Sequence, residues 1–307
     1  MKPLPVLVLT GFLGAGKTSL ARRWLASPGV SLIVNEVGAV EVDEGLRVDE
    51  RLSTLPDGCA CCATREDLVE VVGAMLDAER APSLLILETS GLADPGPILS
   101  TLLGHDALAG RLALRGVLTV VDAVRAPVHL KEREARTQIA LADAVLLSKV
   151  DAATGAQVEA AEDAVRGLRR DLVPLRASTS EVDLQHLLEA VDAARAPALR
   201  FALLDEPHSH DVVAHSLRAD AVDGQRLLAW LRGLSMVHGP DVMRIKGCVQ
   251  VAGLPIPLRL QGVHDHLEAN PAADVRAAGS ALVIIGRGLD PRGLQEGFAS
   301  CEVGRGG

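Results

Sequence analysis

Short apolar runs alternate with segments of helical periodicity through the first two thirds of the chain. The runs are rich in Val, Leu and Ile, as in strands buried on both faces of a parallel sheet, and cover residues 4–9, 30–34, 84–87, 117–121, 144–147 and 172–175. Apolar residues recur at helical spacing between them, at residues 18–26, 65–78, 133–141 and 157–168. This order predicts a doubly wound α/β domain with a mostly parallel sheet over residues 1–195.

The pattern lapses after residue 195. Residues 196–212 contain two prolines and the polar cluster HSHD, which predicts a linker. Strand-like and helical segments then resume, with strands near residues 213–217, 242–251, 256–260 and 281–285 and helices at 224–234 and 291–299. We therefore expect a second, smaller α+β domain over residues 213–307.

Composition narrows the classes of partner. A chain of 307 residues with 48% apolar residues can form its core by burial alone. The formal net charge of −9, without a basic cluster flanked by aromatic residues, argues against binding to nucleic acid. No apolar run approaches the roughly 20 residues that span a bilayer. We expect a cytoplasmic protein with no membrane partner.

The first predicted strand leads directly into residues 11–18, which read GFLGAGKT. Glycines at this spacing let backbone N–H groups point at phosphates, and the following helix adds its positive N-terminal dipole. Lys17 is expected to meet the β- and γ-phosphates, and the Thr18 hydroxyl to ligate Mg²⁺. A glycine-rich turn that binds nothing is the alternative, but the full spacing favours nucleotide binding. The predicted phosphate-binding residues are Gly14, Ala15, Gly16, Lys17, Thr18 and Ser19.

Two carboxylates follow predicted strands and are candidates for the catalytic machinery. Glu88 ends one strand, where it would lie near the water shell of the metal, and the Gly91 N–H three residues later would touch the γ-phosphate. Glu36 ends the second strand in residues 35–38 (NEVG). We expect a water ordered near Glu36 or Glu88 to attack in line, with Lys17 and Thr18 completing the catalytic set. A helix-capping turn is the simpler alternative for Glu88, and Asp122 is a weaker candidate for a supporting role.

Residues 148–151 (SKVD) follow another buried strand, at the position where GTPases of this architecture present their guanine reader. Asp151 would accept hydrogen bonds from guanine N1 and N2, which adenine cannot donate. Lys149 would lie along the plane of the base. Ser148 stands where such readers carry Asn, which leaves a shorter hydroxyl to brace the neighbouring loop. A solvated Lys-Asp turn is the competing interpretation.

Three of the five cysteines, Cys59, Cys61 and Cys62, fall within four residues ahead of a predicted helix. A reducing cytosol disfavours a disulfide framework, and a helix N-terminus lowers thiol pKa values. Three soft ligands with one open position suit Zn²⁺, Co²⁺ or another transition metal held exchangeably. Buried structural cysteines or a redox pair are the alternatives.

The other two cysteines, Cys248 and Cys301, stand alone in the sequence and are expected in the core. Three histidines lie in or beside the predicted linker, at His208, His210 and His215. We interpret them as surface residues rather than metal ligands.

In sequence order, the segments GFLGAGKT, NEVG, CACC, ETSGLADP at residues 88–95 and SKVD resemble the CobW-type (CobW/HypB/UreG-like) metallochaperone GTPases. Residues 244–247 (RIKG) and 285–290 (IGRGLD) are similar to the second domain of that family. The resemblance implies binding of GTP and GDP with Mg²⁺, slow GTP hydrolysis, and Zn²⁺ or another transition metal on the three clustered cysteines. It also implies nucleotide-dependent transfer of the metal to a client metalloprotein.

The chain departs from the family pattern at Ala39, where many members carry Glu, at Ser148, and in a histidine run reduced to two residues. Because the cysteine segment leads into the helix before the Glu88 strand, bound metal and γ-phosphate would bias one switch region, and the coupling must be reciprocal. The rival functions are a nucleotide-gated interaction protein with structural cysteines and a P-loop kinase for a small molecule. A homodimer is left open by the sequence.

Overall fold

The computed structural model describes residues 2–35, 52–54, 65–78, 81–178, 182–195, 212–264, 266–273 and 279–303. They divide into two compact units, the first within Met1–Arg166 and Leu172–Ala194 and the second within Gly167–Asp171 and Arg195–Gly307. Within these ranges, no helix has both the length and the apolar character needed to cross a bilayer.

The first unit is built on a parallel sheet. Its described strands are β1 (Leu4–Gly11), β2 (Val30–Asn35), β3 (Leu52–Thr54), β4 (Leu84–Thr89), β5 (Leu112–Asp122), β6 (Ala144–Ser148) and β7 (Leu175–Arg176). The strand order is β3-β2-β4-β1-β5-β6-β7, and every neighbouring pair is parallel. This confirms the predicted doubly wound α/β fold. Since β1 lies between β4 and β5, the crevice for a ligand is expected beyond its carboxyl end.

Helices connect these strands, and their apolar faces form the core of the first unit. They are α1 (Lys17–Leu25), α2 (Arg65–Asp77), α3 (Gly96–Gly104), α4 (Ala126–His129), α5 (Arg133–Leu141), α6 (Gly155–Leu168) and α7 (Leu184–Arg195). Helix α1 buries Leu20 and Trp24 in the same cluster as Leu7 and Leu32 of the sheet. Each fully buried side chain of this size contributes about 1.5–3 kcal/mol, so this packing fixes the start of α1 against the end of β1.

Two strands differ from the sequence prediction. The run at residues 117–121 is only the buried part of β5, which begins at Leu112 and alternates in exposure over its first residues. The run predicted at residues 172–175 contributes only Leu175 to β7. Pro174 precedes it, and proline has no N–H to donate to a sheet ladder, which places the strand start after it.

In its described residues, the second unit is an antiparallel sheet with two α-helices and a short 3-10 helix at Gly239–Asp241. Its strands are β8 (Val212–Ala219), β9 (Val242–Val249), β10 (Leu258–Val263), β11 (His266–Pro271) and β12 (Ser280–Arg287), in the order β11-β10-β9-β12-β8. The helices α8 (Gly224–His238) and α9 (Pro291–Ala299) are capped by the side chains of Asp223 and Asp290. Cys248 and Cys301 are both buried, as expected for core residues.

Candidate functional site

The turn after β1 has a backbone that only glycine accommodates well. Gly11 has φ 144°, and a Cβ there would lie 2.2 Å from the Val120 carbonyl oxygen on the neighbouring strand β5. Gly14 and Gly16 have φ 70° and 96°, in the left-handed region that L side chains rarely adopt. No described side chain caps the N-terminus of α1, which begins directly after Gly16. The turn therefore offers backbone N–H groups and a helix dipole to an anion.

Lys17 lies beneath this turn and is nearly buried. Its Nζ donates hydrogen bonds to the carbonyl oxygens of Gly11 at 2.7 Å and Phe12 at 3.3 Å. The ammonium group is thus held by the loop backbone at the carboxyl end of β1. A permanent positive charge at this point favours a polyphosphate over the turn.

Thr18 and Glu88 meet although they are far apart in sequence. The Thr18 Oγ1 donates a hydrogen bond of 2.6 Å to Glu88 Oε1, and Glu88 is buried at 2% exposure. The parallel register of β1 and β4 pairs Leu9 with Glu88, which brings this carboxylate beside the start of α1. A hydroxyl and a carboxylate are hard oxygen donors of the kind that Mg²⁺ prefers, so the pair fits the predicted metal.

The loop after β4 packs against the phosphate-binding turn. A Cβ on Gly91 would lie 2.8 Å from both the backbone nitrogen and Cα of Leu13. On its other side, the Gln138 side chain of α5 donates from Nε2 to the carbonyl oxygens of Gly91 and Ala93, each at 3.1 Å. Gln138 is a site residue that the sequence reasoning missed. No signal in the sequence marks it, because its partners are backbone carbonyls of a distant loop.

Lys149 joins the guanine-reader segment to the phosphate-binding turn. Its Nζ donates to the Gly14 carbonyl oxygen at 2.6 Å and forms an ion pair of 2.7 Å with Asp122 Oδ2. The Oδ1 of Asp122 accepts from the backbone N–H groups of Val124 and Arg125, so the carboxylate is itself fixed. Lys149 has φ 57°, an uncommon backbone state of the kind that structures retain at functional sites.

Ser148 is fully buried at the end of β6 and braces the same turn. Its Oγ lies 2.7 Å from the Ala15 carbonyl oxygen and 3.2 Å from that of Val121, and it can donate its one proton to either. This is the bracing role that the sequence suggested for a hydroxyl at this position. Asp151, the predicted guanine reader, is exposed just beyond Lys149, where a base could reach it.

The turn also contacts an aromatic side chain. The rings of Phe12 and His129 lie 4.8 Å apart between centroids, at an interplanar angle of 51°. Burial lowers the pKa of His129 below its usual value, against the opposing attraction of Asp122. His129 is consequently neutral at neutral pH, and Lys17 and Lys149 supply the positive charge at the turn.

The remaining predicted site residues, Glu36, Cys59, Cys61 and Cys62, lie outside the described residues, as do His208 and His210. Thr54 at the end of β3 pairs with Val34 of β2, which in turn pairs with Glu88. Strand β3 therefore ends at the same edge of the sheet as β1, whose end leads into the phosphate-binding turn. Among the described residues, no cluster of three or more His, Cys, Asp and Glu side chains is suited to a metal ion.

Comparison with known proteins identifies relatives of both units. The CobW/HypB/UreG nucleotide-binding domain matches residues 5–174, and the cobalamin synthesis protein cobW C-terminal domain matches residues 212–302. The zinc chaperone YjiA of Escherichia coli K12 is 30% identical over 97% of this chain and 99% of its own length. The zinc chaperone CobW of a Sinorhizobium species is 28% identical over 92% of each chain. The crystal structure of Zn(II)-bound YjiA GTPase from E. coli superimposes with a TM-score of 0.70 at 27% identity, covering 98% of this chain and 99% of that one.

Proposed function

Because this chain belongs to the CobW/HypB/UreG family, with the nucleotide-binding domain and the CobW C-terminal domain both present, we propose that it is a GTP-hydrolysing zinc metallochaperone. In this proposal it binds zinc or a similar transition metal and transfers it to a client metalloprotein under nucleotide control. The strongest support for this proposal is the set of side chains around the phosphate-binding turn. Lys17, the Thr18–Glu88 pair and the Lys149–Asp122 pair converge on a single glycine turn at the carboxyl edge of the parallel sheet.

The nucleotide would lie with its phosphates over the N-terminus of α1. The N–H groups of Gly14 to Ser19 would bind phosphate oxygens, and Lys17 would exchange its backbone carbonyl partners for the β- and γ-phosphates. Thr18 and Glu88 would hold Mg²⁺, which neutralises phosphate charge when bound. Asp151 would accept from guanine N1 and N2, while the contacts of Lys149 to Gly14 and Asp122 keep that segment beside the turn.

Hydrolysis on this scaffold relies on positioning and electrostatics. Lys17 and the N–H groups of the turn stabilise the charge that develops on the transferred phosphoryl group, and an acid near the γ-phosphate, Glu36 or Glu88, orders the attacking water. The sequence offers no residue that can be assigned as an arginine finger. Intrinsic turnover is therefore slow, and a client or a second copy of the chain is the expected source of acceleration.

The zinc ligands in this proposal are Cys59, Cys61 and Cys62. Support comes from the register of the described strands, because β3 ends at Thr54 on the edge where the turn lies, and Cys59 follows five positions later in the sequence. β3 is three inter-strand steps from β1, or about 14 Å at the usual spacing of neighbouring strands. The cysteine segment ends at α2, after which the chain reaches β4 and Glu88. Metal and nucleotide can thus act on one connected region.

The experiment is GTP and ATP turnover by protein purified without an affinity tag, together with its metal content. We expect slow hydrolysis that prefers GTP, close to one equivalent of transition metal, and loss of turnover with retained metal in Lys17→Ala. A Cys61→Ser variant should lose metal. If Cys61→Ser instead lowers stability while metal content stays the same, the cysteines are structural and the chaperone proposal is wrong.

A further inference from the structure

Gln138 contacts the loop after β4 with both donors of its amide. Its Nε2 lies 3.1 Å from the Gly91 carbonyl oxygen and 3.1 Å from the Ala93 carbonyl oxygen. An amide nitrogen carries two N–H groups, so these two bonds use its donor capacity completely. Gln138 is 1% exposed, and water does not compete for the same positions.

The direction of this amide follows from its partners. Both neighbouring acceptors are carbonyl oxygens, so the nitrogen must face them and the amide oxygen must point away. That oxygen is buried, and no group among the described residues donates to it. A methionine would fill the same space without burying an unsatisfied oxygen, which costs free energy. The two donated bonds are therefore the feature that distinguishes glutamine at this position.

Helix α5 is anchored by the fully buried Ile139 beside Gln138. The Thr119 hydroxyl of β5 donates a 2.9 Å hydrogen bond to the Gln138 backbone oxygen, which adds stability but does not orient the side-chain amide. On the far side of the loop, Gly91 packs against the backbone of Leu13 with no room for a Cβ. The loop after β4 is thus held between α5 and the phosphate-binding turn. Backbone packing holds it on the side of the turn, and the Gln138 side chain holds it on the side of α5.

We propose that Gln138 is a positioning residue that holds the Gly91 N–H where the γ-phosphate arrives. The inference rests on the proposed function, since it assigns Gly91 to γ-phosphate recognition. By fixing the carbonyls of Gly91 and Ala93, the amide limits rotation of the loop and presents the N–H toward the turn. GDP lacks the γ-phosphate, so its affinity does not depend on this contact.

The first test compares Gln138→Met with Thr119→Val. Methionine keeps the length and bulk of the side chain and removes both donors, whereas Thr119→Val removes a buried hydrogen bond to the same helix and leaves the amide intact. We expect Gln138→Met to lower kcat and the affinity for a non-hydrolysable GTP analogue by about tenfold each, with GDP affinity unchanged. This loss is smaller than the roughly 10²–10³-fold for removing a transition-state donor outright, because the Gly91 N–H is displaced but still present. Thr119→Val should lower the melting temperature without changing the ratio of GTP-analogue to GDP affinity.

A second variant distinguishes the loss of the two amide N–H donors from a change in the shape of the side chain. In Gln138→Glu the carboxylate oxygens face the two carbonyl oxygens, so turnover should fall below that of Gln138→Met and recover as pH falls and the carboxyl group becomes a donor. Equal losses of GTP-analogue and GDP affinity in Gln138→Met, or identical behaviour of Gln138→Met and Thr119→Val, would overturn the role of Gln138. Absence of GTP hydrolysis in the wild type counts against the proposed function instead, and the two affinities still decide this inference.

Discussion

At the residue scale, the site is a ring of contacts around the glycine turn made by residues distant in sequence. Lys149 reaches Gly14 across 135 positions, and Ser148 reaches Ala15 across 133. Both contacts use a backbone carbonyl of the turn as acceptor, so neither occupies a backbone N–H group that could bind phosphate. The side chain of Asp151 takes no part in this ring and is exposed, so its role can be separated from the stability of the fold.

Asp151→Asn should therefore change nucleotide choice without changing the fold. An asparagine amide retains one acceptor and presents donors toward the guanine N1 and N2 donors, so GTP affinity should fall at least tenfold while ATP affinity stays the same. Because the side chain is exposed, the free energy of unfolding should change by less than about 0.5 kcal/mol. Competition titrations with GTP and ATP measure the first quantity, and urea unfolding measures the second. Retained GTP preference in the variant would show that another group reads the base.

Some residues of the site can be predicted from the sequence, and others can be recognised only in the structure. The GFLGAGKT turn, Glu88 and the SKVD segment follow buried strands at recognisable spacing, and strand pairing alone brings them to one edge of the sheet. Gln138 carries no such spacing, because its partners are backbone carbonyls of a loop 45 and 47 positions away. A residue whose partners are backbone groups does not require particular side chains elsewhere in the sequence. Its role can therefore be recognised only in the structure.

At the scale of elements, the loop after β4 is the part whose position matters most for the proposed chemistry. Gly91→Ala would place a Cβ 2.8 Å from Leu13 backbone atoms, which cannot move without moving the turn itself. We expect GTP turnover to fall at least tenfold, with GDP affinity within about twofold of wild type, because the loop must withdraw from the γ-phosphate position. Steady-state kinetics and GDP titration give both values.

Gly73→Ala is the matched control for this substitution. Gly73 lies inside α2, where an added Cβ meets nothing within 4 Å. Alanine should stabilise the helix by about 0.5–1 kcal/mol and leave turnover unchanged. Equal kinetic effects at the two glycines would mean that the loop position is not responsible.

A second element with a testable property is β9. Burial of the Lys246 side chain lowers its pKa to about 7, far below that of an exposed lysine. The unfolded chain then binds more protons than the folded one between pH 7 and the ordinary lysine pKa, so stability rises with pH across this window. From pH 7 to 9 we expect a gain of roughly 2 kcal/mol in the free energy of unfolding.

Lys246→Met tests this pH dependence. The variant retains most of the side-chain length without the titrating group, and the rise attributed to Lys246 should disappear. Urea unfolding at pH 7, 8 and 9 compares the two proteins. A rise of equal size in wild type and variant would assign it to other groups.

The strands and helices that the sequence predicts correctly are those with a clear apolar pattern over a short stretch of chain. The runs at residues 4–9 and 84–87 became β1 and β4, and the helices at 133–141 and 291–299 have the predicted bounds. Strand β11 was missed because its sequence HLEANP contains Asn and Pro, which strands usually lack, and it pairs with β10 alone at a sheet edge. Strand β3 has three residues, too few to show a period.

At the scale of the whole molecule, the two units have separate roles. The parallel sheet of the first unit positions the nucleotide site, and the matching of the second unit to the CobW C-terminal domain supports the family assignment over both halves of the chain. In the first unit, β3 ends at the edge of the sheet where the phosphate-binding turn follows β1, and the three clustered cysteines follow β3 in the sequence. If one connected region senses both ligands, their binding free energies must be coupled.

The most direct measurement is Zn²⁺ affinity, by chelator competition, with a non-hydrolysable GTP analogue, with GDP and without nucleotide. We expect Zn²⁺ affinity to differ between the GTP-analogue and GDP states, and Zn²⁺ to change the ratio of the two nucleotide affinities by the same factor. Cys61→Ser should abolish the difference. Identical Zn²⁺ affinities in all three nucleotide states would contradict the account and leave a nucleotide hydrolase whose metal site is independent of GTP.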